Sequence, residues 1–266
     1  MSETLARPLA DRLGSLPIPR DPHEGTATPQ SAVAGAVQAL DDGKTKYTNR
    51  PGIVPLREWV ANHVIATYRV GMTANDITIT CGIAEAEYVT LAYFTSQRPG
   101  KILIADHTDD DIYVDRVRPL AHLLGTDVLR YEVDSQSLMG RIMSGERDPQ
   151  PEPDDFIEPD GEIALAYIGE DGAKSTALLH YALEHDLPVV WSTALNVNDI
   201  GLSDLPDVMP NTVILGGFET ELRGWRVGWM AGHNLHAKLR STKQSMTICT
   251  PSVSQWAALA MLEAQS

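Results

Sequence analysis

The sequence is short of several things. Among 266 residues there are two cysteines, Cys81 and Cys249, far apart and without Cys-x-x-Cys spacing. That excludes a disulfide framework and leaves two reduced thiols, as in a cytosolic protein. Basic residues are scarce: 21 Lys and Arg stand against 36 Asp and Glu, a formal charge of −15 with a pI near 4.8. A field of that sign repels phosphodiester backbones and anionic lipid, so no nucleic-acid and no membrane partner is expected. A local basic pocket for one small anion remains compatible with it. Long apolar runs are missing too, since EIALAYI and WAALAML are the size of core elements, not of bilayer spans. The opening MSETLARPLADRLGSLPIPRDPHEG has no apolar signal core, and the expected location is the cytoplasm. There is no Gly-x-Ser-x-Gly elbow, no glycine-spaced calcium loop and no internal repeat.

What is present is ordinary for a soluble globular chain: 43% hydrophobic and 21% charged residues, and enough length for one large α/β domain or two small ones. Residues 1–30 are rich in proline and charge and read as an extended N-terminal arm. The stretch SAVAGAVQALDDG predicts a helix with Ala32, Val33, Ala36, Val37 and Leu40 on one face, Ser31 as N-cap and Gly43 as the stop. A second helix is expected after PGI, with Leu56, Val60 and Val64 at helical spacing. From Asp76 onward the pattern switches. DITIT, KILIA, DVLRYEV, EIALAYI, LPVVWS and TVILGG read as strands, and most are separated by helical patterns such as AEAEYVTLAYF, VDRVRPLAHLLG and STALLHYALEHD. Alternation of that kind, with nearly continuous apolar strands, implies a mostly parallel sheet covered on both faces. The Pro- and acid-rich GERDPQPEPDDFIEPDGE reads as a solvated connection.

Six segments in order carry a family resemblance: KYTNRPGIVPLREWVANHV, ITITCGIAEAEYVTLAYF, PGKILIADHT with HLLGTDVLRYEVD, EHDLPVVWS, GWRVGWMAG and TPSVSQWAALAML. Together they resemble the large domain of the class I/II, fold type I aminotransferases that use pyridoxal phosphate, over roughly residues 25–264. The resemblance implies a three-layer α/β fold over residues 31–266 with a seven-stranded sheet. It also implies a dimer as the working unit and a cofactor at the carboxyl ends of the strands. The family's smaller C-terminal domain is not expected here, and the cleft it would cover is expected to lie open or under another subunit.

At the phosphate end the pattern is kept. CGIAEAE puts Gly82, Ile83 and Ala84 in the first turn of a helix, where free N–H groups and the dipole favour an anion. By resemblance, Arg226 in Gly-Trp-Arg matches the arginine that pairs with the phosphate, and its fork suits a bidentate contact. Tyr47 matches a tyrosine contributed by the neighbouring subunit. The same residues also fit a plain strand–glycine–helix junction, with Arg226 as a salt-bridged strand terminus and Tyr47 as an interface filler.

At the chemical end the pattern is lost. The stretch LGGFETELRGWRVGWMAG contains no lysine. The family's Schiff-base lysine would fall at Phe218, Glu219 or Thr220, and none of these can form an imine. Where the resemblance expects the aspartate that protonates the pyridine nitrogen stands Ser192; where it expects the following tyrosine stands Leu195. YIGEDGAKS replaces the asparagine loop, and about Asp109 falls where an aromatic ring would stack. Losing a charge-assisted hydrogen bond and a stacking contact weakens cofactor binding by about 2–4.5 kcal/mol, on the order of 30- to 2,000-fold. Lys174, Lys238 and Lys243 are the nearest substitutes, each also readable as a surface lysine.

No catalytic side chain and no metal site are assigned. Asp109, Asp110 and Asp111 read as a solvated run. His233 and His236, like His180 and His185, read as surface histidines without a third ligand. The sequence thus predicts an aminotransferase-like chain that is not a working transaminase. It would act by binding, as a homodimer or larger oligomer or beside an intact aminotransferase relative, with pyridoxal phosphate held non-covalently if at all. The alternatives are a repurposed enzyme acting on a phosphorylated or carboxylated metabolite, and a residual pyridoxal-phosphate enzyme.

Overall fold

The structure, a computed structural model, describes residues 27–68, 70–105, 112–147, 155–169, 173–192, 211–218 and 221–265. The chain opens with two helices, α1 (Gln30–Asp41) and α2 (Val54–Tyr68). Then follow β1 (Ile77–Thr80), α3 (Ile83–Gln97), β2 (Lys101–Ala105), α4 (Ile112–Leu123), β3 (Val128–Arg130) and α5 (Ser135–Met143). The second half runs β4 (Ile163–Ile168), α6 (Ala173–Glu184), β5 (Val189–Ser192), β6 (Thr212–Gly217), β7 (Gly228–Ala231), α7 (His236–Gln244) and α8 (Ser252–Gln265).

The seven strands form one sheet in the order β1-β7-β6-β5-β4-β2-β3. Only β7 runs against its neighbours; the pairs β6–β5, β5–β4, β4–β2 and β2–β3 are parallel. The expected mostly parallel, seven-stranded sheet is therefore present. Strands β1, β4 and β5 are buried along their whole length, as expected of a sheet covered on both faces. One core lies between the sheet and α1, α2, α6 and α8, and includes Leu56, Val60 and Val64, as the helical spacing predicted. The other lies under α3, α4 and α7, around Val89, Leu91, Val117 and Leu239. The expected strand DVLRYEV is ordered as a strand only over its middle, β3.

Helix α1 departs from its expected packing. Its cap residue is Pro29, with no side-chain hydrogen bond, so Ser31 does not cap it. Its buried residues are Ala32, Ala36 and Ala39, whereas Val33, Val37 and Leu40 are 38%, 52% and 55% exposed. The reason is a close crossing with α8: a Cβ on Gly35 would strike the Ala260 methyl and come within 3.0 Å of the Trp256 carbonyl oxygen. Small residues let two helix backbones approach, and dense packing there outweighs the larger transfer energy of Val and Leu. Gly43 does end the helix, at φ 67, with the Lys44 N–H donating back to the Ala39 carbonyl.

Candidate anion site at the carboxyl edge of the sheet

Four strands bring small or polar residues to the same edge. β1 ends at Thr80, β5 at Ser192 and β6 at Gly217, while the antiparallel β7 begins there at Gly228, paired with Gly217. Side chains alternate between faces along a strand. Val190 and Leu215 lie in the core under α3, so Ser192 and Gly217 face the same way. Gly228, two residues before Met230 of that core, faces α3 as well.

That arrangement seats the first turn of α3 on the sheet. Gly82 caps the helix at φ 77 and ψ 174, and Thr80 Oγ1 donates to its carbonyl at 2.8 Å. A Cβ on Gly228 would lie 2.5 Å from the Gly82 carbonyl carbon and 2.7 Å from the Ile83 nitrogen. Only glycine at 228 lets the turn come this close. Ile83 is buried and Ala84 exposed, so the turn is anchored on one side and open on the other. Arg226 joins it: Nη2 donates to the Cys81 carbonyl at 3.4 Å, from an exposed residue held at φ 55. Left-handed backbone at a non-glycine residue is costly and concentrates where a side chain must be aimed. Gly82, Ile83, Ala84 and Arg226 thus meet at one place.

Tyr47 does not join them within the chain. It is 81% exposed, and among the described residues it makes no hydrogen bond or ring contact with the other four. Its neighbour Thr48 is tied to the region through Gln255, whose Nε2 donates to Thr48 Oγ1 at 3.3 Å and to the Thr250 carbonyl at 2.8 Å. Thr250 Oγ1 in turn donates to the Ile79 carbonyl on β1.

The electrostatics of the turn hold a feature that sequence reasoning missed. The Glu85 carboxylate accepts the Cys81 N–H at 2.6 Å, so one donor beside the turn is already used. Lys243 Nζ lies 3.6 Å from that carboxylate and donates to Thr247 Oγ1 at 3.0 Å, while the Thr247 hydroxyl donates to Glu85. Lys243 is 1% exposed, so it is no surface lysine, as one reading of the sequence had it. Burial, and then the Glu85 charge, push the Cys81 thiol above its ordinary range and keep it protonated. In sequence, HAKLRSTKQ carries no sign that one of its lysines turns inward.

The residues expected at the chemical end are only partly described. Phe218 is buried on the far face, edge-on to Trp59 at 6.2 Å, with its N–H donating to the Val227 carbonyl. Ser192 is 2% exposed, and among the described residues its Oγ has no hydrogen-bond partner. Glu219, Thr220, Leu195, Asp109, Asp110, Asp111 and the Lys174 side chain lie outside the described residues. Lys238 is exposed. His233 and His236 stand at the opposite edge, where their Nδ1 atoms lie 3.7 and 3.5 Å from the buried Asp76 carboxylate. No group of three potential metal ligands occurs among the described residues, and no described helix is long and apolar enough to cross a membrane. His185 stacks on Tyr181 at 4.1 Å.

Comparison with known proteins bears on the fold that carries this site. No family model matches the chain. Aspartate aminotransferase of Thermotoga maritima is 24% identical over 255 residues, which is 89% of this chain and 63% of the relative. That of Bacillus subtilis is 21% identical over 246 residues, 88% of the chain and 60% of the relative. Among solved structures, Escherichia coli YbdL, described as having a methionine aminotransferase function, superimposes with a TM-score of 0.68 at 19% identity. It is matched over 90% of this chain and 64% of its own. The chain therefore spans about three-fifths of the length of these relatives.

Proposed function

From a chain that is fold type I aminotransferase-like over most of its length, we propose that this protein binds a small anion at residues 82–84 and Arg226 and does not carry out transamination. One observation carries the reading: residues 215–232, which run from the end of β6 through β7 and hold Arg226, contain no lysine. Transamination through pyridoxal phosphate requires a nucleophilic amine beside the ring. The most deeply buried lysine near the turn, Lys243, is held by Glu85 and Thr247. Phe218 packs into the far core, and a hydroxyl, Ser192, closes β5 where a carboxylate would be needed to keep a pyridine nitrogen protonated.

The phosphate of pyridoxal phosphate suits the turn, since the N-terminal amides of α3, seated close on the sheet by Gly228, and the Arg226 guanidinium are anion-binding features. The remaining residues do not suit its covalent chemistry, so such a cofactor would be held non-covalently. A phosphorylated or carboxylated metabolite would meet the same donors. The working unit we propose is a cytoplasmic dimer, either of two copies or with an intact relative. The exposed Tyr47 and the exposed Val33, Val37 and Leu40 of α1 support that association.

Two measurements test the reading. Protein mixed with pyridoxal phosphate and reduced with borohydride should yield no stoichiometric pyridoxyl-lysine peptide; a single fully labelled lysine would overturn it. Arg226→Ala should weaken inorganic phosphate binding by roughly 10- to 100-fold, the value of a charge-assisted contact. An unchanged affinity would remove the anion site.

A further inference from the structure

The amino edge of the sheet, opposite the α3 turn, holds a cavity of about 420 Å³, a volume within the range of small-molecule sites. It opens where three connections meet: Arg98 and Pro99 after α3, residues 158–162 before β4, and the end of α6 with Leu187 before β5. Ile163 and Leu187 are buried and give it an apolar floor, while Pro99 and Pro159 stiffen its rim.

The charged groups around this cavity are held by neutral partners. Arg98 Nη1 donates to the Asp186 carbonyl at 3.1 Å, and Asp186 is itself set at φ 50 with its carboxylate accepting from Asn211. Glu158 Oε1 accepts the Tyr181 hydroxyl at 3.0 Å. The Tyr181 ring stacks on His185 at 4.1 Å and tilts against Tyr131 at 5.3 Å, which fixes where that hydroxyl stands. Burial, and then the Glu158 hydrogen bond, push the phenol up to about 12, so it stays a neutral donor and adds no charge. The Arg98 and Glu158 charges both act on this phenol. Yet among the described residues neither they nor Glu162 form an ion pair. Opposite charges thus line one cavity without closing on each other.

We propose that this cavity is a second small-molecule site, independent of the anion site, and that it takes a free α-amino acid with an apolar side chain. The ligand carboxylate meets Arg98, its ammonium meets Glu158 and Glu162, and its side chain lies on Ile163 and Leu187. Charge sets the class. A lone carboxylate would find Arg98 but face two glutamates, and a lone amine would find the glutamates but face Arg98. A zwitterion satisfies both walls, and groups already held in place lose little freedom on binding it. The site is also separate from the other. β4 crosses the sheet from edge to edge in six residues, roughly 17 Å, so one small ligand does not reach both this cavity and residues 82–84.

The test is a calorimetric titration of the whole chain with L-leucine and two analogues, 4-methylpentanoate, which lacks the ammonium, and 3-methylbutylamine, which lacks the carboxylate. Leucine should bind at one per chain. Each analogue should bind more weakly by roughly 3- to 30-fold, between the value of an exposed ion pair and that of a charge-assisted hydrogen bond. Arg98→Gln should weaken leucine by a similar factor and leave the amine no weaker than before. Glu158→Gln, which keeps an acceptor for Tyr181, should weaken leucine and leave 4-methylpentanoate no weaker. Both variants should bind inorganic phosphate as the parent does, since residues 82–84 lie at the other edge. A parent chain that gives no heat with leucine would overturn the proposal. So would an analogue that binds as tightly as leucine, or a variant that weakens all three ligands alike; none of these results touches the anion site.

Discussion

Lys243 Nζ lies 3.6 Å from Glu85 Oε2, and both side chains are buried, directly behind the first turn of α3. An ion pair out of water contributes little by itself, because desolvation offsets the attraction, but breaking it leaves one charge stranded. Lys243→Met should therefore lower unfolding stability by about 3–5 kcal/mol. The double variant Lys243→Met with Glu85→Gln should recover most of that loss. Urea titrations of the three proteins check it, and a double variant no better than the single would show that packing of the lysine stem dominates. The pair also bears on binding. Glu85→Gln removes the negative charge nearest the α3 turn while Lys243 stays, so inorganic phosphate should bind more tightly to it than to the parent.

Gly228 has a purely steric task. With a Cβ set 2.5 Å from the Gly82 carbonyl carbon, Gly228→Ala must lift the α3 turn off the sheet or bend β7. Overpacking of this kind costs about 1–3 kcal/mol. Phosphate affinity should fall with it, because the amides of residues 82–84 would no longer share one position. A thermal melt together with a phosphate titration reads both effects; a variant that loses stability but binds phosphate as the parent does would separate the cradle from the site.

These two cases show what the sequence made legible. The strand–glycine–helix pattern of ITITCGIAE was enough to place residues 82–84 at a helix start, because glycine and the change from period 2 to period 3.6 are local signals. Arg226 could be matched by resemblance, and the Cys81 contact now puts it beside that turn. The Glu85–Thr247–Lys243 cluster was not legible, since it joins residues more than 150 positions apart and nothing local marks a polar helix residue that turns inward. The face of α1 was misread for a different reason. Periodicity weighs apolar residues by size, whereas the close crossing with α8 selects Ala32, Gly35, Ala36 and Ala39 for lack of it.

That same face leads to the association we propose. Val37 and Leu40 stand 52% and 55% exposed one turn apart on α1, close in sequence to Tyr47 at 81%. Exposed apolar side chains grouped on one element mark a contact surface more often than solitary ones do. Sedimentation at micromolar concentration should show a dimer for the parent chain and a monomer for Val37→Glu with Leu40→Glu, with the fold unchanged by circular dichroism. A monomeric parent would remove the dimer from the reading and leave the anion site untouched.

His63 gives the stability a pH dependence whose sign can be worked out. Its ring stacks on Trp59 at 5.3 Å and meets Trp229 edge-on at 6.4 Å, and burial holds its pKa below the ordinary 6.5. The unfolded chain therefore binds more protons than the native one between the depressed value and 6.5, and stability rises with pH across that window. It is complete above the unfolded pKa and declines as the pH falls toward the folded one. The parent's pH profile sums every group that takes up protons on acidification, so it alone does not isolate His63. His63→Phe does isolate it, keeping a ring against Trp59 and removing the titration. In urea unfolding at pH 7.5 and pH 5.5, conditions spanning the ordinary histidine range, the parent should lose more stability on acidification than His63→Phe. Equal losses in the two proteins would mean that the ring is hydrated enough to protonate freely in place.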